Sequence, residues 1–203
     1  MGFKANQYAR DHGLRPFVVY QGNWSASCRD FEREIIPMCR DEGMGIAPWG
    51  TLGSGRFQPA ASFAEREKSN PGRTGKPITE KEKAVSAVLE AIAKRKGTVI
   101  MSVALAYCMA KAAYVFPIVG GRKVEHLKGN IEALSLRLSQ EDIKEIETGY
   151  AFDPGFPHTF ISGTLFTNDP PRGAYDPADI WLTKFTGTLD WVEGGKPIQP
   201  AEV

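Results

Sequence analysis

The sequence predicts an α/β fold in which βα units feed a parallel sheet, and two observations predict it. Residues 16–21, 44–49 and 114–119 are short apolar runs of strand length, each followed by a glycine, Gly22, Gly50 or Gly120. Between and after them apolar residues recur at helical spacing. No internal repeat of the kind that marks a solenoid is present.

Taken in order, residues 3–12 read as a helix that Gly13 stops, and 16–21 as a buried strand. Asp30 opens a helix that carries Phe31, Ile35, Met38 and Cys39 to a stop at Gly43, with Pro37 expected to kink it. A second strand, 44–49, leads into a glycine-rich loop, and residues 58–77 are polar enough to form a surface excursion. Thr79 and Glu82 form a capping box for a helix whose inner face is Val85, Val88, Leu89 and Ile92. A helix over 99–111 is apolar almost all round and therefore buried. The third strand is followed by a helix with Val124, Leu127, Ile131 and Leu134 on one face, and Ser139 with Asp142 opens another. This organised part spans residues 1–149. Residues 150–203, interrupted by seven prolines, read as an irregular tail partly packed through Phe152, Phe156, Trp181 and Trp191.

Composition excludes several classes. The 203 residues hold 25 Lys and Arg against 24 Asp and Glu, so the basic excess of a phosphate-backbone binder is missing and no nucleic acid is expected. With 42% hydrophobic and 24% charged residues the chain is globular rather than disordered. The longest apolar stretch, 99–113, is shorter than the roughly 20 residues of a membrane helix. Residues 1–10 lack the apolar core of a secretory signal, and the expected location is cytoplasmic. Cys28, Cys39 and Cys108 have neither a paired framework nor a metal spacing, and read as buried thiols with no metal.

Ligands of βα folds lie at the carboxyl ends of the strands. Residues 21–25, 49–56 and 120–130 occupy that position. Trp49 can stack on a planar ring, and Gly50, Thr51, Leu52, Gly53, Ser54 and Arg56 can bring backbone N–H groups, hydroxyls and a cation to a pyrophosphate. The same pattern also fits a plain glycine turn beside a core tryptophan. Arg122 and Lys123 stand at a helix mouth, against the macrodipole preference, with His126 and Asn130 on the Arg122 face. That suits a ribose 2′-phosphate, or an ordinary solvated basic pair. His12, His126 and His158 have no carboxylate partner in sequence, and no nucleophile elbow, zinc-protease helix or Cys pair is present. No catalytic constellation is legible.

The chain resembles the aldo-keto reductase family, and within it the fungal aryl-alcohol dehydrogenase branch. The resemblance covers about residues 4–160 and rests on RPFVVYQGNWS (15–25), REIIPMC (33–39), APWG (47–50), FPIVGGRK (116–123) and FDPGFP (152–157). It implies a partial (β/α)8 TIM barrel of about three C-terminal βα units, and NADP as cofactor. By resemblance Gln21 holds the nicotinamide carboxamide, Trp49 stacks on that ring, and Gly50 to Ser54 cover the pyrophosphate. Gly120, Arg122, His126 and Asn130 match positions around the 2′-phosphate and adenine, with Gly129 where the family often has Glu or Gln. Residue 1 falls after the fifth barrel strand, so the family's catalytic Tyr, Asp, Lys and His are expected outside this sequence and no residue inherits those roles. The implied activity is hydride transfer between NADPH and an aldehyde or ketone, as in fungal secondary metabolism. A non-catalytic NADP-binding or regulatory module, or an inactive truncated remnant, is the alternative. Open sheet edges predict self-association.

Overall fold

The computed structural model describes residues 2–63, 77–156 and 195–200. Two parallel strands, β1 (Val19–Asn23) and β2 (Gly45–Trp49), pair in register from Val19 opposite Gly45 to Asn23 opposite Trp49. Six helices accompany them among the described residues: α1 (Gly2–Asp11), α2 (Ile35–Asp41), α3 (Glu80–Arg95), α4 (Ile100–Lys111), α5 (Val124–Glu132) and α6 (Gln140–Thr148). The third predicted strand is shorter than expected. Residues 114–118 run parallel to β2 through one bridge, Ile46 to Val115, with Ile46 N–H donating to Tyr114 O, Phe116 N–H to Ile46 O and Ile118 N–H to Pro48 O. Pro48 lacks the N–H that this ladder would use next after Ile46, which cuts it to isolated bonds.

The helices cover one face of this sheet. Ile46 is buried, Tyr20 meets the edge of the Phe31 ring, and a Cβ on Gly22 would lie 2.4 Å from that ring, so only glycine lets Phe31 under β1. The core continues through Val85, Leu89 and Ile92 of α3, Val103 and Tyr107 of α4, and Ile143 and Ile146 of α6. The expected capping box forms, with Glu82 N–H donating to Thr79 Oγ1 and Thr79 N–H to Glu82, and Ser139 and Asp142, read as a helix start, make a second one. Gly13 and Gly43 take φ of +65° and +66° just after helices, as predicted, and Gly97 takes +64° after α3.

Two expectations are corrected. The helix from Asp30 breaks into a 3-10 turn (Asp30–Glu32) and α2, and Pro37 lies in the first turn of α2, where its missing N–H has no intrahelical partner to lose. The apolar face read for the helix after the third strand is open: Val124, Leu127 and Ile131 of α5, and Leu134 in the 3-10 turn after it, are each more than half exposed. In the tail, Phe152 lies beneath the guanidinium groups of Arg29 and Arg33, whereas Phe156 is exposed. Trp181, Trp191 and His158 lie outside the described residues. Cys39 and Cys108 are buried as expected, and Cys28 only in part. Burial pushes the Cys39 thiol up to about 11.

Candidate functional site

The sheet's other face is bare among the described residues, and the predicted site opens at its carboxyl end. Side chains alternate along a strand, so Val19, Gln21 and Asn23 share a face with Gly45, Ala47 and Trp49. Their exposed or half-exposed pattern fits that assignment. In register Gln21 lies opposite Ala47 and Asn23 opposite Trp49, which makes Gln21 and Trp49 diagonal neighbours. Trp49 is 45% exposed, unusually open for an indole ending a parallel strand.

The loop after Trp49 is wound tightly. Gly50, Gly53 and Gly55 have φ of +77°, +65° and +81°, and Ser54, with a side chain, is held at +53°. A non-glycine residue in the left-handed region persists only where its surroundings hold it there. Gly53 N–H donates to Gly50 O, and the Phe57 ring sits where a Gly53 Cβ would go. Thr51 is buried, and its hydroxyl is one of two buried side-chain polar atoms without a hydrogen-bond partner among the described residues. Such an orphan at a ligand loop is a vacancy of partners that a bound oxygen can fill. Arg56 bonds to Glu82 at 2.9 Å and so ties the loop to the α3 capping box. Burial pushes the Glu82 carboxyl up, but the Thr79 N–H and hydroxyl and the Arg56 guanidinium outweigh it and hold it below its usual value.

The third segment emerges beside this loop, because Ile118 bonds to the carbonyl of Pro48 one residue before Trp49. Gly120, Arg122, Lys123 and His126 are exposed and Asn130 is half-buried. The first turn of α5 has no side-chain cap at Lys123, which leaves donors for an anion. His126 turns back to this loop: its Nδ1 accepts the Arg122 N–H at 3.3 Å, and a Cβ on Gly121 would lie 2.6 Å from the His126 Cβ. One residue escaped the sequence reading. Asn23 Oδ1 is 2.5 Å from where a Gly50 Cβ would be, so Asn23 sits over the start of the loop beside Trp49. The alternation of side chains along β1 was the available signal.

These residues fit a dinucleotide phosphate: a planar face, a glycine cradle with an orphaned hydroxyl, and exposed cations at an uncapped helix start. Four of the described tyrosines sit elsewhere. Tyr8 stacks on His12, Tyr20 faces the helices, Tyr107 donates to Glu147 in the core, and Lys81 lies over Tyr150. No group of His, Cys, Asp and Glu able to hold a metal occurs among the described residues. A cavity of about 1600 Å³ lies at the opposite, amino end of the strands, lined by Val18, Gly45 and Tyr114, and its Arg29, Glu32, Lys111 and Glu147 pair with one another. It lacks the loop and the exposed indole.

Residues 3–150 match the aldo/keto reductase family model. A norsolorinic acid reductase B of Dothistroma septosporum is 59% identical over 202 residues, which cover 98% of this chain and 50% of the relative. An aryl-alcohol dehydrogenase of Pestalotiopsis microspora is 50% identical, over 97% of this chain and 49% of its own length. A thermostable aldo-keto reductase solved with the inhibitor epalrestat superposes with a TM-score of 0.51 at 26% identity, over 71% of this chain and 44% of that one. The chain thus spans about half the length of the curated relatives it matches. A bare parallel sheet over helices, a glycine loop behind an exposed tryptophan and these matches agree: the chain belongs to the aldo-keto reductase family.

Proposed function

We propose that this chain is the NADP(H)-binding part of a reductase that transfers hydride between NADPH and an aldehyde or ketone, in the manner of aryl-alcohol dehydrogenases and norsolorinic acid reductases. The observation that carries it is Thr51, a buried hydroxyl without a partner on a loop of left-handed residues beside an exposed Trp49. Bound NADPH would supply the hydride. Trp49 presents a flat apolar face to a ring, Gln21 offers an amide diagonal to it, and Asn23 holds the entrance of the loop. Gly50, Thr51, Leu52, Gly53 and Ser54 direct N–H groups and hydroxyls at a pyrophosphate. Arg56 holds that loop against α3. Arg122 and Lys123 carry charge for a 2′-phosphate, with Gly120, His126 and Asn130 around them.

Reduction of a carbonyl also needs a proton donor, and a positioned acid contributes typically ~10²- to 10⁴-fold. In this reading the donor belongs to the half of a family-length barrel that this sequence does not span. The names of the relatives favour a carbonyl on an aromatic or polyketide-like substrate.

Titration with NADPH tests the proposal through energy transfer from Trp to the reduced nicotinamide. The expected result is saturable binding that weakens about 10-fold or more in Arg122→Ala, the scale of one lost charge-assisted hydrogen bond. NADH, without the 2′-phosphate, should not sense that substitution. Absence of binding at millimolar NADPH overturns the reading, and oxidation of NADPH by an aryl aldehyde overturns the assignment of the acid to the other half.

A further inference from the structure

The sheet's bare face bears large apolar side chains that the described residues leave largely open, with the 195–199 segment reaching it only at the Tyr114 end. Val19, Trp49, Tyr114, Phe116 and Ile118 are 45 to 65% exposed, and Phe116 lies across Gly45 next to Val19. All-parallel sheets occur almost only with both faces covered, and contiguous apolar patches of this kind mark interfaces.

The two flanks of the sheet are complementary. Gly45 N–H donates to Val18 O and Trp24 N–H to Trp49 O, so the even residues of β1 serve β2. By the alternation of a parallel ladder, Val19, Gln21 and Asn23 turn their N–H and C=O groups to the open edge. Beside that edge lies α1, tied to it by Asn6, which accepts the Phe17 N–H and donates to Phe17 O; Phe3, Tyr8 and Leu14 are exposed there. At the opposite edge Phe116 and Ile118 serve β2, which leaves Val115 and Val119 open, and the chain then runs into α5 with its outward Val124, Leu127 and Ile131, continued by Leu134 in the 3-10 turn (Ala133–Ser135) after it. Each flank is one open parallel strand and one apolar helix face.

We propose that two copies of this chain pair about a two-fold axis along the strands. The β1–α1 flank of each copy meets the 114–118–α5 flank of the other, and the two bare faces enclose a common core. A rotation about that axis keeps all strands parallel and makes two identical seams, so the assembly closes instead of growing. Pro117 withholds one donor from each seam, and side-chain burial carries the contact. A half-exposed aromatic leaves on the order of 100 Å² open. The bare face alone then brings two copies to about 1,000 Å², and the flanks take them into the range of a stable dimer. A formal net charge of +1 per copy sets up no repulsion.

Sedimentation equilibrium of the 203-residue chain at micromolar concentration tests this, with far-UV circular dichroism as the check on folding. The expected species is a dimer. Phe116→Asp on the bare face and Leu134→Asp beside α5 each alter an exposed side chain, so both should keep the circular dichroism and weaken the dimer at least about 30-fold. Ala87→Asp, on the exposed side of α3, should leave it intact. A monomer at every concentration, an open-ended series of oligomers, or a dimer indifferent to Phe116→Asp and Leu134→Asp overturns the proposal. So does a monomer that binds a polypeptide supplying the other strands of a family-length barrel, which would assign the face to those strands.

Discussion

Thr51 and Glu32 are both buried and polar, and they differ in what surrounds them. Glu32 takes two bonds from Arg29, at 3.0 and 2.8 Å, and one from Trp24 Nε1 at 3.2 Å, while Glu147 receives Arg29, Lys111 and Tyr107. That network answers every charge it buries and holds the loop after β1 against α4 and α6, as a buried pair must if it is not to destabilise the fold. The Thr51 hydroxyl has no such answer. Leaving a buried hydroxyl unpaired costs about 1–3 kcal/mol, and an isosteric methyl removes that cost. Thr51→Val should therefore raise the midpoint of urea unfolding of the ligand-free chain by up to about 1 kcal/mol in stability, while weakening NADPH several-fold in the same titration. A variant that loses stability would mean that the hydroxyl is satisfied within the fold, and would remove the observation that favours a ligand there.

Among the elements, α3 and α6 were the most legible in the sequence, because a capping box is a local device and its residues three apart determine its geometry. Asp142 does more than cap: it also meets Arg95 and Lys96. Burial pushes its carboxyl up, yet Lys96, the Ser139 N–H and Arg95 prevail and bring it from 3.8 down to about 2. A folded pKa below the unfolded one means that the unfolded chain takes up the proton first as pH falls. The stabilisation is then complete above the ordinary carboxylate range and is lost between about pH 4 and pH 2, with Glu82, shifted the same way, adding to the loss. Asp142→Asn should cost about 1–2 kcal/mol at neutral pH and flatten the fall in urea midpoint below pH 4, which unfolding curves at stepped pH would register. Nonlocal features were less legible. The break before α2 depends on how the Asp30–Glu32 turn packs Phe31 under Gly22, and the shortness of the third strand on a proline of its neighbour, Pro48, that takes a donor from the shared ladder. The α5 stripe was read correctly as one face, but its spacing carries no information about whether a neighbour exists to cover it. The site followed the same division: Gln21, Trp49 and the glycine loop stand out in the sequence, whereas Asn23 emerges only when the register sets it beside Trp49.

At the scale of the molecule, the described residues of this chain leave one sheet face and two flanks open. Its stability should then depend on whatever binds the folded form, by mass action. Two such couplings are separable. If copies pair through the bare face, the melting temperature rises with protein concentration in the absence of ligand, and Phe116→Asp abolishes the rise. If the loop after Trp49 and the Arg122 segment hold NADPH, ligand at 100 times its dissociation constant contributes about 2.7 kcal/mol whatever the protein concentration. For a chain of this size each kcal/mol moves the midpoint by roughly 2–4 °C, so the shift is about 5–10 °C. NADH at the same concentration should give the smaller shift of a ligand without the 2′-phosphate, and Arg122→Ala should bring the two cofactors together. Differential scanning calorimetry across protein and ligand concentrations resolves the four cases. A midpoint that ignores NADPH in a chain that still responds to its own concentration would keep the pairing and refute the cofactor site; the converse would keep the cofactor site and refute the pairing.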